Sequence, residues 1–476
     1  MSSETEGLCK YGREKEVEYL DSRTKKPVSY KCPHKAVKDG YCIFHHPAYW
    51  KENPDEIRKK FYKEVRSAVD KEENVICIGY NLPEINIKEL NISKFGFANF
   101  SYCKFFQNAN FSEAEFEDAR FAMAEFSRDS NFWRAKFNQD AYFFGAKFYR
   151  NAYFGESEFH QNAYFSEVEF NQGAYFIESC FHKDADFAGA YFHRDANFGG
   201  AKFQKADFEN AYFRNAEFNE VEIQCADFSR SIFEDTSVFK NVSDEFRYNP
   251  EIESMLLFHL VTFKNPQNVT FIHFPLSSLS FLMTDVSNIL IICDPKEIKK
   301  KGILSERLLK EMEQKGKSGI NNEYVKVAIN ALKPHLSKET VLAEYRNIRK
   351  SFEKNRTFAE ASELFIREMR MLRENLSFPE KIVHWAYDGI SRYGESFLRP
   401  LMILVGSIFT LPITASLLSG VPAFENYWSN VEATARLFFQ LPVEHGYGMW
   451  EIAIRLLSII LLGNVFIAFR RRLERR

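Results

Sequence analysis

The sequence predicts a multidomain chain: a central coil of square cross-section, a charged helical connector, and a C-terminal pair of membrane helices. Three observations predict this. Phenylalanine occurs 49 times in 476 residues, far above ordinary usage, so one buried position must recur that only Phe fills. Those Phe residues are spaced by five or six from Phe95 to Phe239. Two long apolar stretches, Leu401 to Leu418 and Ile452 to Phe469, lie near the C-terminal end. At ~150 residues per domain, a chain of this length should hold about three units.

The ladder begins Phe95, Phe100, Phe105, Phe111, Phe116, Phe121 and Phe126. From Phe126 to Phe203 the steps alternate six and five, and from Phe203 to Phe233 they are five, with Ile223 in one slot. A small residue stands two positions before most centres, as at Ala109, Ala114, Ala119, Ala124 and Ser130. Neither a period of 2 nor one of 3.6 produces this spacing. A square coil does, if each side is about five residues long and both the large and the small position point inward. Each buried Phe should then contribute ~2–3 kcal/mol.

This pattern resembles the pentapeptide-repeat family, with Phe where Leu is more usual at the centre. The resemblance implies a right-handed quadrilateral β-helix with four repeats to a turn. Twenty-eight centres give about seven coils, and at ~4.8 Å per coil a rod of roughly 34 Å. In the alternating stretch, two opposite sides of each coil carry an extra residue, expected as a stacked bulge. Phe271, Leu276, Phe281, Val286 and Ile291 are again five apart, which extends the coil over 90–292. A helical linker is expected over 51–89.

Outward positions between 95 and 240 hold 23 acidic and 14 basic residues. Acidic rods of this family can mimic duplex DNA, but here the acids are interleaved with Lys and Arg. With 63 basic against 65 acidic residues overall, nucleic acid is not an expected partner. Tyr142, Tyr153, Tyr164 and Tyr175 recur every eleven residues and should form two short ladders, either as solvent-tolerant β-formers or as a subunit-contact stripe.

The first thirty residues are polar, so no cleavable leader is expected and the N-terminus should stay in the cytosol. Cys77, Cys103, Cys180, Cys225 and Cys293 have apolar neighbours and read as packing residues. Cys9, Cys32, Cys42 and His45 differ, because three thiolates and an imidazole are the ligand set of a closed structural zinc site. Residues 1–50, with little core of their own, would need such a site to fold. His34 and His46 compete with His45, and ordinary reduced cysteines in a loop are the alternative.

The connector spans 293–394. Val341, Tyr345, Ile348 and Phe352 make one helical stripe, and Phe358, Ala361, Phe365, Met369 and Leu372 a second. Two such helices should pair as an antiparallel hairpin, similar to connectors between pentapeptide repeats and membrane segments. Arg367, Glu368 and Arg370 read as a solvated face.

Over 395–476, two spans flank a short loop. Leu401 to Leu418 carries no charge, and Ile452 to Phe469 is broken by Arg455 and ends in a basic run. Arg392, Arg399 and the C-terminal arginines lie outside the spans, while Glu425, Glu432, Glu444 and Glu451 lie between them. The positive-inside rule then puts both termini in the cytosol and the hairpin in the inner membrane. The loop holds a short amphipathic helix, VEATARLFFQLP, and then VEHGYGMW. Span, helix, Gly-Tyr-Gly and span resembles the pore of two-transmembrane potassium channels, whose re-entrant helix aims its C-terminal end at the ion.

Carried over, Gly446, Tyr447 and Gly448 match the last filter positions, while Glu444, His445 and Met449 depart from the pattern. A ring of Glu444 carboxylates would select cations by charge, with His445 adding pH sensitivity; alternatively both are ordinary loop residues. Arg455 should pair with Glu451 or Glu444. Asn464, beside Gly463, suits a close helix contact or the pore wall.

The expected function is a homo-oligomeric, cation-permeable channel in the lipid bilayer with a cytosolic rod as gating or assembly module; the resemblance implies four subunits. The alternative is a membrane-anchored scaffold whose hairpin is only an anchor. No catalytic constellation or nucleotide-binding motif is present in the sequence, so enzymatic activity is not expected.

Overall fold

The computed structural model describes residues 7–20, 27–240, 254–315, 322–419, 427–443 and 449–474. The chain divides into two compact units, Met1–Asn347 and Ile348–Arg476.

The first unit is organised around a β-solenoid of about nine turns. Strands stack in parallel and in register, Phe upon Phe. One column runs Leu82, Phe105, Phe126, Phe148, Phe170, Phe192, Phe213, Phe233, Phe263. Another runs Phe95, Phe116, Phe137, Phe159, Phe181, Phe203, Ile223. Successive members are 22 residues apart where sixes and fives alternate (Phe126 to Phe148) and 20 apart where only fives remain (Phe203 to Ile223). Four repeats therefore close each turn.

The spacing has a physical cause in the ring packing. Within a column, rings stack almost parallel, as in Phe126–Phe148 at 4.7 Å and Phe159–Phe181 at 4.6 Å. Across the coil they meet edge to face, as in Phe132–Phe143 at 5.3 Å and 90°. Both are favoured arrangements of the aromatic quadrupole. The small residues two positions earlier, such as Ala135, Ala141 and Ala146, are fully buried and leave room for these rings.

The extra residue of the six-residue sides interrupts the strand up to Tyr175, while Cys180–Asp186 and Tyr191–Asn197 run through it unbroken. Lys136–Phe137 and Ala141–Tyr142 are separate two-residue strands, whereas the five-residue side Lys202–Asp207 is continuous. Where the two side lengths meet, the register shifts, between Phe181 and Asp184. The expected tyrosine ladders form, with Tyr142 on Tyr164 at 4.9 Å and Tyr153 on Tyr175 at 5.3 Å.

Outward Lys and Glu pair between neighbouring turns: Lys104–Glu125 at 2.9 Å, Lys136–Glu158 at 3.1 Å and Lys147–Glu169 at 2.8 Å.

The stretch 51–89 is helical only in part. A single turn, α1 (Tyr49–Glu52), and α2 (Pro54–Asp70) precede strands at Val75–Ile76, Asn81–Leu82 and Ile85–Asn86. These strands pair with the Phe-bearing turn above them and form the first turn of the solenoid. Ile57, Phe61 and Val65, spaced by four, are the buried face of α2.

At the other end, strands at Met255–Leu257, Val269–Ile272 and Leu290–Ile292 continue the stack. The short helix α3 (Pro295–Lys301), α4 (Leu304–Lys315), α5 (Glu323–Leu332) and the start of α6 (Lys338–Lys354) follow. They close the last turn with side-chain hydrogen bonds. The Phe281 N–H donates to Glu344 Oε1 at 2.6 Å, Asn347 Nδ2 donates to the Thr284 carbonyl at 2.5 Å, and the Ser280 and Ser305 hydroxyls lie 2.7 Å apart.

The second unit is helical. The end of α6 pairs with α7 (Phe358–Arg373), Arg349 reaching Glu368 at 2.9 Å and lying over the Phe365 ring. Next come α8 (Phe378–Ser391), α9 (Leu398–Ser419), α10 (Tyr427–Phe438) and α11 (Met449–Glu474). Leu404 and Ile408 of α9, Val431 and Phe438 of α10 and Leu461 of α11 share one core. Arg471, late in α11, donates to the Tyr393 carbonyl at 2.9 Å, so α11 runs back toward the start of α9.

The expected two-span membrane hairpin is reduced by this geometry. Among the described residues, only α11 is long and apolar enough to cross a membrane; the apolar part of α9 is shorter, Leu398–Thr414.

Candidate metal centre

The described residues 7–20 and 27–46 fold as irregular loops around a short antiparallel pair, Glu18–Leu20 with Pro27–Ser29. Backbone bonds fix where the ligands come together. The Cys9 N–H donates to the His34 carbonyl at 2.9 Å and the Cys32 N–H to the Tyr11 carbonyl at 3.2 Å. The Cys42 carbonyl heads a turn and accepts from the His45 N–H at 3.2 Å, which swings the imidazole back over the thiol. Arg13 ties the first two loops, donating to the Cys9 carbonyl at 3.1 Å and the Cys32 carbonyl at 3.2 Å. Gly12, at φ +71°, lies where a Cβ would be 2.0 Å from the Tyr30 carbonyl oxygen, so only glycine fits that approach.

The donor atoms of Cys9, Cys32, Cys42 and His45 all lie within 4.8 Å of one another, and all four residues are buried. Cys32 Sγ is 3.8 Å from Cys42 Sγ, and His45 Nδ1 is 3.2 Å from Cys42 Sγ and 3.6 Å from Cys9 Sγ. A tetrahedral ion with metal–sulfur bonds of ~2.3 Å would hold its sulfurs ~3.8 Å apart, so the set has the size of such a shell. His45 Nε2 donates to the Ile78 carbonyl at 2.9 Å, which leaves Nδ1 free to face the sulfurs. That outer bond fixes the tautomer and the ring plane. The Tyr11 ring stacks on the imidazole at 4.0 Å.

Hydrogen bonds within the cluster shift its protons. The hydrogen bond from Cys32 lowers the Cys42 thiol against burial, with His45 adding to it. Burial works against the charged His45, but its bonds to Cys42 and Cys9 outweigh it and raise the imidazole. Cys32, which shares its proton with Cys42, is raised. A divalent ion binds thiolates and a neutral imidazole, so its binding to this set would release protons. With every donor buried, the arrangement suits a closed structural centre rather than one open to substrate.

His34 and His46 are engaged elsewhere. His34 Nε2 lies 2.6 Å from the Tyr80 hydroxyl, and His46 Nε2 lies 3.1 Å from Asp39 Oδ2. His46 Nδ1 accepts from the backbone N–H groups of Ala48 and Tyr49 at 3.2 and 3.1 Å.

Of the residues expected at a pore, Glu444, His445, Gly446, Tyr447 and Gly448 lie outside the described residues. Arg455 pairs with Glu451, at 3.0 Å, and also donates to the Leu441 carbonyl at 3.0 Å. Asn464 Nδ2 bonds back to the Ile460 carbonyl at 2.8 Å, and among the described residues no atom lies within 4 Å of a Cβ built on Gly463.

Glu368 and Arg370 are not a solvated face: Glu368 is buried against Arg349, and Arg370 forks onto Asp388 at 2.8 and 3.0 Å. Sequence reasoning missed Glu344. The available signal was its place among Val341, Tyr345 and Ile348, an acid on a stripe otherwise meant for burial.

Models of pentapeptide repeats match residues 100–147, 143–191 and 196–235. An uncharacterized protein of Methanocaldococcus jannaschii is 35% identical over 254 residues, covering 50% of this chain. The matched region spans 52% of that relative, so the chain spans about half the length of the curated relative it matches. The chain carries a pentapeptide-repeat solenoid.

Proposed function

We propose that the protein is a membrane-anchored scaffold: a pentapeptide-repeat rod, closed at its first turn by a structural zinc centre and held at a bilayer by its C-terminal helices. The observation that carries the reading is α11, an apolar helix of 26 residues whose Ile452, Leu456, Ile459 and Phe466 side chains are exposed. In water these would be a large uncompensated apolar surface; in hydrocarbon they are solvated. The basic residues Arg470, Arg471 and Arg472 follow the apolar stretch and favour the cytosolic side for that end. Zinc suits the three-thiolate, one-imidazole donor set better than hard cations, which prefer oxygen.

The full chain, expressed in cells, should remain in the membrane fraction through an alkaline carbonate wash. Recovery in the soluble fraction would overturn the anchor.

A second reading, an oligomeric cation channel, is favoured by one observation. The short helix α10 packs against both α9 and α11 through Val431 and Phe438, as a re-entrant helix would between two spans. It requires several copies, because one helical pair encloses no conduit. Planar-bilayer recording under a sodium/potassium gradient tests it: unitary currents favour the channel, and silence from inserted, folded protein favours the scaffold.

A further inference from the structure

The helix α8 is inside out. Its charged side faces protein: Asp388 accepts from Arg370 at 2.8 and 3.0 Å and from Arg373 at 3.3 Å. Its opposite side is apolar and largely exposed, with Phe378 71%, Val383 66%, Trp385 55% and Ile382 50% exposed, the Trp385 ring lying 5.9 Å from the Arg373 guanidinium. Positions 378, 382 and 385 lie on one helical face, and 383 lies about 100° further round the helix from 382. Glu380, also exposed, is taken up in a capping box with Ser377.

A surface helix of a water-soluble domain carries the reverse pattern. Among the described residues none covers this arc.

We propose that α8 lies in the plane of a bilayer surface, with this arc sunk among the headgroups and upper acyl chains of anionic lipid. The inference rests on the anchored reading and adds a second contact to it. Three observations choose lipid over a second copy of the chain. Ile390, at the end of α8, packs into the α9–α11 core, so the arc adjoins the apolar anchor. Exposed apolar side chains continue onto α9 at Leu401 and Met402 and onto α11 at Phe469 and Leu473, a wrap around three helices that one partner face would not cover. Arg399, Arg470 and Arg472 are exposed at the same end, where Arg471 meets Tyr393 and Glu395 at 2.9 and 3.2 Å. Basic residues flanking an aromatic-bearing apolar arc are what an anionic interface attracts.

The test uses the full chain in vesicles of phosphatidylcholine and phosphatidylglycerol with brominated acyl chains. The emission lost on Trp385→Phe isolates the Trp385 contribution. That contribution should be blue-shifted and lose most of its intensity to bromine, and Ile382→Lys with Val383→Lys should abolish the quenching while circular dichroism and vesicle incorporation stay unchanged.

Unquenched emission at the wavelength of a hydrated indole, in protein that has incorporated, would overturn the α8 contact and leave the anchor intact. Blue-shifted emission that bromine does not quench and that reverts on dilution would assign the arc to a second copy and overturn it equally. Failure of the chain to incorporate would remove the anchor, and the α8 proposal with it.

Discussion

At its first turn the solenoid is closed by loops with few apolar residues, drawn together around three thiols and an imidazole and joined to the coil by His45 on the Ile78 carbonyl and by the Phe44–Tyr80 stack at 4.3 Å. At its last turn helices do the same work with a buried carboxyl, an amide and packed apolar side chains. Both ends face the same problem, since a parallel stack leaves open backbone donors and acceptors at each terminal turn. The difference teaches that a short segment with little core gathers metal-ligating side chains where a longer one packs helices.

The comparison breaks most readily at the metal. Structural zinc contributes about 10–16 kcal/mol in small zinc domains, so chelation or Cys42→Ser should abolish metal binding and expose residues 7–46 to proteolysis while the far end stays protected. Metal analysis should return about one zinc per chain for the native protein. Full protection after complete metal loss would mean that the aromatic stack alone holds the first turn.

A substitution midway should not distinguish the ends. Phe154→Ala removes a ring stacked at 4.8 Å on Phe132 and 4.9 Å on Phe176 and should cost about 3–5 kcal/mol in denaturant unfolding. A transition confined to one end would contradict a cooperative rod.

The helical end should respond to pH. Burial, opposed by bonds from Ser305 and the Phe281 N–H, pushes the Glu344 carboxyl up to about 7. The folded state then keeps a proton that the unfolded chain has lost. This contribution is fully present below the ordinary carboxylate range and is lost as pH rises through about 7, by up to about 3 kcal/mol. Thermal unfolding of Glu344→Gln should show a flatter pH dependence across that window, and an unchanged profile would assign the dependence to other groups. The smallest effect belongs to the surface, where Lys147→Ala should change stability by less than about 1 kcal/mol, because its pair with Glu169 is part-exposed.

Much of the rod was legible because Phe is a conspicuous marker and the ladder is strictly spaced. The first turn was not, since Leu82, Ile85, Ile87 and Leu90 carry the burial there and mixed aliphatics do not announce a period of five. The metal cluster was legible in its residue types but not in its choice of histidine. That choice depends on the Ile78 carbonyl and on Asp39 and Tyr80 occupying the competitors, contacts set by tertiary structure. Glu368 and Arg370 were misread because their partners, Arg349 and Asp388, lie about one helix away in sequence. The exposed arc of α8 was also hidden, because periodicity identifies a stripe without saying which side meets protein.

The parallel register has a consequence for how such a chain can change over generations. Between Phe126 and Phe203 every turn repeats its predecessor 22 residues later, so duplicating one such stretch of gene would insert a whole turn, lengthen the rod by ~4.8 Å, and leave every ring above and below in its column. Duplicating a length that is not a multiple of the eleven-residue pair of sides would put polar residues into the interior. Rod length is therefore inherited in discrete steps, with the growth zone in the middle and both ends held constant.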